Sequence, residues 1–210
     1  MTGPGGRSTW PHPGPEASVR PGDLYASRPP WDVGRPQPAL LALAEAGAVR
    51  GRVLDVGCGT GEHALMAAGM GLDATGIDLA APALETAREK ARARGLVARF
   101  LLHDARHLVE LGESFDTVLD CGLFHVFDGE DLVAYVAGLG SVVVPGGSYL
   151  MMCFSDRQAG DWGRVHKRTQ AQIRAAFASG WRVDSIEPAT IDVTNDPDGI
   201  AAWLVTLTRT

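Results

Sequence analysis

The segment Val53-Leu54-Asp55-Val56-Gly57-Cys58-Gly59-Thr60-Gly61-Glu62 constrains the fold of this chain more than any other. An apolar, β-type run carrying the carboxylate of Asp55 leads into a turn with glycine at alternate positions. The apolar segment from His63 to Met70 follows at once and reads as a helix. A strand that feeds a glycine turn and then a helix is how α/β proteins bring backbone close to a cofactor. About 20 residues on, the run Ala74-Thr75-Gly76-Ile77 ends in Asp78, where such folds place an acid on a ribose.

The rest of the chain continues the alternation. Strands are expected over 52–56, 74–77, 98–102, 115–121 and 148–154, and helices over 61–70, 81–94, 131–142 and 169–179. Gly95 and Gly180 stop two of these helices, and Pro145-Gly146-Gly147 reads as a turn into the fifth strand. The runs 181–188 and 202–208 lack an intervening helix and predict an antiparallel pair at one sheet edge. The pattern predicts an α/β fold: a Rossmann-like sheet, mostly parallel, with an antiparallel C-terminal edge and helices on both faces. Gly57, Asp78, Asp104 and Cys121 then fall at the carboxyl ends of four successive strands, where open sheets of this type bind ligands.

Composition narrows the function classes. The 210 residues suit one domain, expected over 21–210, behind an N-terminal arm (1–20) rich in glycine and proline and expected to be disordered. That arm lacks the apolar core of a secretory signal, and no run is long enough to cross a bilayer. The net charge of -6 gives no footprint for a phosphate backbone, so no nucleic-acid partner is expected. Three cysteines, Cys58, Cys121 and Cys153, lie in or beside apolar runs and read as reduced thiols of a cytoplasmic protein. His63, His103 and His107 show no metal spacing, and no metal is expected. A monomer or weak homodimer acting on a small molecule, away from membranes, is the expected state.

The glycine spacing is G-x-G-x-G with Asp55 two residues before the first glycine, and Glu62 stands where a nicotinamide fingerprint needs its third glycine. In this the chain resembles class I S-adenosylmethionine-dependent methyltransferases, from about Tyr25 to the end. The segment 29–38, Pro-Pro-Trp-Asp-Val-Gly-Arg-Pro-Gln-Pro, is similar to the tryptophan-containing lid of thiopurine, thiol and halide methyltransferases. It is also similar to that of small bacterial enzymes methylating heterocycles or quinone-type phenols. The resemblance implies S-adenosylmethionine as cofactor and a lid over 21–47, with Trp31 against the methionine part. A tryptophan face near a sulfonium is also physically reasonable.

Three parts of that cofactor would need partners. Gly57 and Gly59 allow close backbone approach, Asp55 would lie near the ammonium group, and Asp78 can accept both ribose hydroxyls. By resemblance to the family's third motif, Leu79 and Ala105 supply an adenine slot and Asp104 an acceptor for its amine. The plainer alternatives are a simple turn at Gly59, a helix cap at Asp104, and a hydrophobic anchor at Trp31. Cys121 is expected to meet the cofactor through its backbone.

Methyl transfer is an in-line displacement in which the leaving group is already activated, so alignment and exclusion of water are the main tasks. A phenol, with pKa about 10, needs a base more than a thiol near about 8.5. His125 is the candidate base and Asp120 its orienting or alternative group, with structural roles open for both. Phe124, Phe127, Phe154 and Trp162, with Tyr25 from the lid, are candidate walls for a flat acceptor. Arg157, Arg164, His166, Lys167 and Arg168 form a basic cluster that is either a solvated loop or a lure for an anion. The thiol and halide enzymes carry an aromatic where this chain has Cys121, which argues against a halide or simple sulfide. The expected reaction is methylation of sulfur or oxygen on a small aromatic or heterocyclic molecule. N-methylation of a heterocycle and a nicotinamide-dependent oxidoreductase are the alternatives.

Overall fold

In the computed structural model, which describes residues 20–160 and 165–210, the strand that feeds the glycine turn lies mid-sheet. The strands are β1 (Arg52–Val56), β2 (Asp73–Asp78), β3 (Arg99–Leu102), β4 (Phe115–Cys121), β5 (Val143–Phe154), β6 (Trp181–Ile191) and β7 (Ile200–Arg209). Their order across the single sheet is β3-β2-β1-β4-β5-β7-β6. The first five run parallel, and β7 is antiparallel to both β5 and β6. The sequence of β1 outward to β3 in one direction and β4 in the other makes the carboxyl end of β1 a topological switch point, where a crevice opens.

Period-two alternation sorts the core onto two faces. From β5, Tyr149, Met151 and Cys153 join one apolar cluster, and Leu150, Met152 and Phe154 join the other. Helices α1 (Pro38–Glu45), α2 (Glu62–Gly69) and α3 (Ala81–Arg94) contribute to the second face and to a smaller cluster around Phe100. Helices α4 (Gly129–Val142) and α5 (Gln170–Ala176) cover the first. Local chemistry sets the helix ends: a proline in the first turn of α3 with Gly95 at φ 63° after it, and a Thr169–Gln172 capping box on α5.

Several boundaries differ from the sequence expectation. Helix α4 starts two residues early at Gly129, α5 ends at Ala176 rather than at 179, and the larger differences fall in β5 and the terminal hairpin. Pro145-Gly146-Gly147 lies within β5, which already pairs Val143 with Phe115 before the register shifts to Ser148 opposite Thr117. A bulge absorbs the extra residues, and a bulge tolerates a proline without N–H. The hairpin of β6 and β7 extends to Ile191 paired with Ile200, because ladder bonds continue through residues whose side chains carry no strand signal.

Candidate active site

A cavity of about 470 Å³ opens at the carboxyl ends of the parallel strands. One half is built from the glycine turn, Asp78, Leu79, His103 to Arg106, and the N-terminal residues Tyr25 and Trp31. Gly59 has φ 51°, and a methyl group there would sit 2.7 Å from Tyr25 Oη, so the turn and the tyrosine close on each other only without a side chain. Asp78 Oδ2 accepts the Gly59 N–H and Oδ1 the Ala80 N–H, both at 2.8 Å. Each oxygen keeps lone-pair capacity toward the cavity. Burial raises the Asp78 carboxyl above its ordinary range against those two bonds. Leu79, apolar and 44% exposed, and the buried Ala105 both line the cavity.

Asp104 lines the same half, but its carboxylate caps the 3-10 turn Ala105–Leu111 through the Arg106 N–H and grips the Arg106 guanidinium at 2.6 Å. That guanidinium holds its pKa down. The capping alternative therefore describes what Asp104 does within the fold.

The N-terminal segment is held from both sides. Trp31 Nε1 donates to Tyr25 Oη at 3.3 Å, with the two rings edge to face. Burial and the nearby Asp78 push the Tyr25 hydroxyl upward, so it keeps its proton. Asp32 accepts from Thr60 Oγ1 of the glycine turn at 3.0 Å and faces Lys90 of α3. On the other side, the Gln37 amide exchanges two hydrogen bonds with the Asp192 backbone, and Arg35 pairs with the Asp192 carboxylate at 2.7 Å. His63 Nε2 accepts the Gln37 N–H, and burial drops its pKa to about 4.

The other half of the cavity is mostly apolar: Val33, Val126, Phe127, Phe154, Val165 and Ile191, with Cys121 and Gly122 at the junction. His125 lies in this wall. Its Nδ1 accepts the Phe154 N–H at 3.0 Å, its ring packs on the Phe154 ring at 4.3 Å, and burial with nearby Arg168 and His166 lowers its pKa to about 3. Burial also pushes the Cys121 thiol up, so it is not a thiolate at neutral pH.

Comparison with known proteins agrees with this geometry. A family model described as a methyltransferase domain matches residues 53–147. The chain is 35% identical over 177 residues to 2-heptyl-1-hydroxyquinolin-4(1H)-one methyltransferase of Mycobacteroides abscessus, covering 83% of this chain and 78% of that protein. It belongs to the class I S-adenosylmethionine-dependent methyltransferases. A structure solved in work on the conversion of a disulfide bond into a thioacetal group during echinomycin biosynthesis is 40% identical, with a TM-score of 0.79. That match covers 87% of this chain and 86% of the other. Magnesium protoporphyrin IX methyltransferase from Synechocystis PCC 6803, solved with bound S-adenosylhomocysteine, shares the fold at 19% identity and a TM-score of 0.66. The two cover 82% and 81% of each other's chains, respectively.

Within this methyltransferase several expected site residues stand elsewhere. Asp55 is 1% exposed and lies beneath the turn, accepting the Ala64 N–H at the start of α2, and it does not line the cavity. A carboxyl there satisfies one of the orphan amides of a helix start. Asp120 is fully buried behind the wall, where Tyr135 Oη at 2.8 Å, Tyr149 Oη at 2.6 Å and the Leu123 and Phe124 amides all donate to it. A carboxylate so fully occupied neither faces the cavity nor reaches the His125 ring, so the expected catalytic role is corrected to an anchor for the Gly122-Leu123 turn.

Phe124 faces the opposite core, stacked at 5.7 Å on Phe177, because the 3-10 turn Phe124–Val126 rotates it away while His125 turns inward. It is a core residue and not a wall of the cavity. His125 as general base is also corrected: with Nδ1 accepting a peptide N–H, the ring holds its proton on Nε2 and has no basic nitrogen to offer. Trp162 and Arg164 lie outside the described residues. The rest of the basic cluster is engaged in structure: Arg157 over Trp203, Lys167 on the Gln158 and Gly160 carbonyls, and Arg168 on Asp128 and the Phe127 carbonyl. His166 lies 3.9 Å from Asp128.

Sequence reasoning missed Asp32, Thr60, Lys90, Arg35 and Gln37 as parts of the site. Their partners are separated by 28 to 157 residues, and no periodicity encodes such pairs. Among the described residues no group of three or more His, Cys, Asp or Glu side chains is placed to hold a metal. No helix of the described residues is long and apolar enough to cross a membrane.

Proposed function

We propose that this methyltransferase transfers the methyl group of S-adenosylmethionine to a sulfur or oxygen of a small, flat aromatic or heterocyclic molecule. The observation that carries this reading is the continuity of the cavity. A half with polar backbone and carboxylate groups opens, past Cys121 and Gly122, into a half walled by apolar side chains. Aromatic and branched walls of this kind suit a flat apolar ring.

The residues present fit the cofactor. Gly57 and Gly59 let the backbone pass close to it, Asp78 accepts the ribose hydroxyls with its free lone pairs, and Leu79 and Ala105 flank the adenine. Asp104, already capping, offers a remaining lone pair to the adenine amine. Tyr25 and Trp31 cover the methionine end, and the Cys121 backbone borders the methyl. Bound there, S-adenosylmethionine would supply an electrophilic methyl group on a positively charged sulfur that leaves as a neutral thioether. The chain's own part is to align the acceptor and keep water out, which the segment held between Thr60 and Asp192 does.

The names of the relatives support the reading: one methylates a hydroxyquinolone, and another comes from sulfur chemistry. The test is transfer of labelled methyl to a matched aromatic thiol, phenol and N-hydroxy heterocycle. Product from at least one sulfur or oxygen acceptor is expected. Transfer only to ring nitrogen, or to none of these while the cofactor binds, overturns it.

A further inference from the structure

The bond between His125 and Phe154 decides more than the loss of a base. A peptide N–H can only donate, so Nδ1 must present its lone pair to Phe154, and the single proton of the neutral ring sits on Nε2. The Cε1–Nε2 edge lies against Gly122 on the cavity wall: a methyl group on Gly122 would sit 3.4 Å from Cε1 and 3.7 Å from Nε2. Among the described residues, nothing accepts a hydrogen bond from Nε2. The ring is held in this pose by the Phe154 ring on one side and by the turn it stands on, whose carbonyl at His125 accepts the His166 N–H at 2.8 Å. Arg168 and His166 are the charged and titratable groups that face it, and both oppose an imidazolium. The position therefore presents a neutral, pre-aimed N–H donor in a wall that is mostly apolar. Of the polar residues that also line the cavity nearby, Arg35 is paired with Asp192, Gln37 with the Asp192 backbone, and His63 with the Gln37 N–H.

We infer that His125 is a positioning residue whose Nε2–H receives the acceptor's reacting oxygen or sulfur as a preformed anion, which restricts the substrate class to groups that ionise before binding. This rests on the sulfur or oxygen reading above. Aromatic thiols, N-hydroxy heterocycles and acidic phenols meet the requirement; an ordinary alcohol does not. The acceptor leaves its proton in solvent on ionising. In the site, a lone pair of the anion forms the bond to the methyl carbon as the methyl–sulfur bond breaks. The electron pair of that bond stays on the departing sulfur, so anion and sulfonium become two neutral products and no proton has to be moved. A donor fixed by the fold holds the anion in line at no cost in reorganisation.

Two substitutions separate the possible roles. Asn at position 125 keeps an oxygen near the place of Nδ1 to accept the Phe154 N–H, but its NH₂ then lies near the place of Cδ2, short of where Nε2–H stands. Gln carries an N–H out toward the place of Nε2 and has no basic nitrogen. His125→Gln is expected to retain kcat/KM within about tenfold and His125→Asn to lose about a hundredfold, the scale of a hydrogen bond to a charged group. Binding of the thiolate to the cofactor-free protein, followed by calorimetry, should weaken in the same order. Nitrogen-15 NMR of the imidazole should show the proton on Nε2 through neutral pH, and the acid limb of kcat/KM should follow the pKa of each acceptor. Equal collapse of both variants, a near wild-type His125→Asn, a proton on Nδ1, or a limb that stays fixed across acceptors overturns the proposal. A wild-type protein that methylates no sulfur or oxygen acceptor overturns the functional reading, and this proposal with it.

Discussion

Thr60 Oγ1 donates to Asp32 Oδ1 at 3.0 Å, joining the glycine turn to the segment that covers it. Lys90 Nζ reaches the same hydroxyl at 2.7 Å and Glu62 at 2.8 Å, and Arg94 holds Glu62 from the other side. The cover is thus tied to α3 through the turn itself. Replacing Asp32 by Ala should loosen the cover and weaken S-adenosylmethionine binding by about five- to thirty-fold, the equivalent of about 1–2 kcal/mol. Calorimetric titration checks this, and an unchanged affinity would mean that the Gln37–Asp192 attachment alone holds the segment.

Asp78 offers the strongest single test of the cofactor half. In Asp78→Asn one of the two backbone amides now bonded to the carboxylate, or one ribose hydroxyl, must face an NH₂ group. Affinity for S-adenosylhomocysteine should fall by more than about tenfold while the melting temperature changes little. Full affinity in this variant would place the ribose elsewhere.

Asp120 should behave as a structural group. Asp120→Ala leaves Tyr135 and Tyr149 hydroxyls and two amides without their acceptor in a dry core. A loss of about 3–5 kcal/mol is expected, read by denaturant unfolding. At a temperature where the variant is folded, kcat should remain within about tenfold of wild type, because the carboxylate moves no proton of the reaction. A folded but inactive variant would restore a catalytic role.

Stability should depend on pH through four buried groups, two histidines and two carboxyls, of opposite sign. The folded state holds His63 at about 4 and His125 at about 3 against an ordinary 6.5, so below pH 6.5 the unfolded chain takes up protons that the folded chain refuses. That contribution is complete above 6.5 and is lost as pH falls. Asp55 is raised by burial from 3.8 to about 8, so from 3.8 to 8 the folded chain keeps a proton the unfolded chain has released, and stability falls as pH rises. Asp120, raised to about 6, acts like Asp55 at the acid end. From pH 6.5 to 8 Asp55 acts without the histidines. The cofactor-free protein should therefore melt at a lower temperature at pH 8 than at 6.5, and Asp55→Asn should flatten that limb.

The ends of strands and the turn between them were legible because they are local. Gly57, Gly59 and Asp78 are placed by one strand–turn–helix unit and the strand beside it, and the alternation of strands and helices leaves few sheet orders open. Leu79 and Ala105 line the cavity as expected for the same reason, since each follows a strand end by a few residues. Tyr25, expected as an acceptor wall, stands instead against Gly59 and Trp31 in the other half. The misplaced residues, Asp55, Asp120 and Phe124, share a different origin. Each sits where a half-turn of backbone rotation decides between cavity and core, and no composition or spacing carries that rotation. His125, by contrast, lines the cavity, and only its role as a base is corrected.

The amino-acid sequence by itself determined the mostly parallel sheet, its antiparallel edge and the chemistry of the glycine turn, because backbone sterics and hydrophobic period act over a few residues. The strand order and its switch point came from the tertiary structure. Tertiary structure alone decided which side chains share a hydrogen bond across long separations. The Asp120 carboxylate found two tyrosines 15 and 29 residues away, Gln37 found Asp192, and His125 Nδ1 found the Phe154 amide. Protonation state, tautomer and aim follow from such partners. A free histidine is a base near neutrality, and the same residue against a buried peptide N–H is a donor.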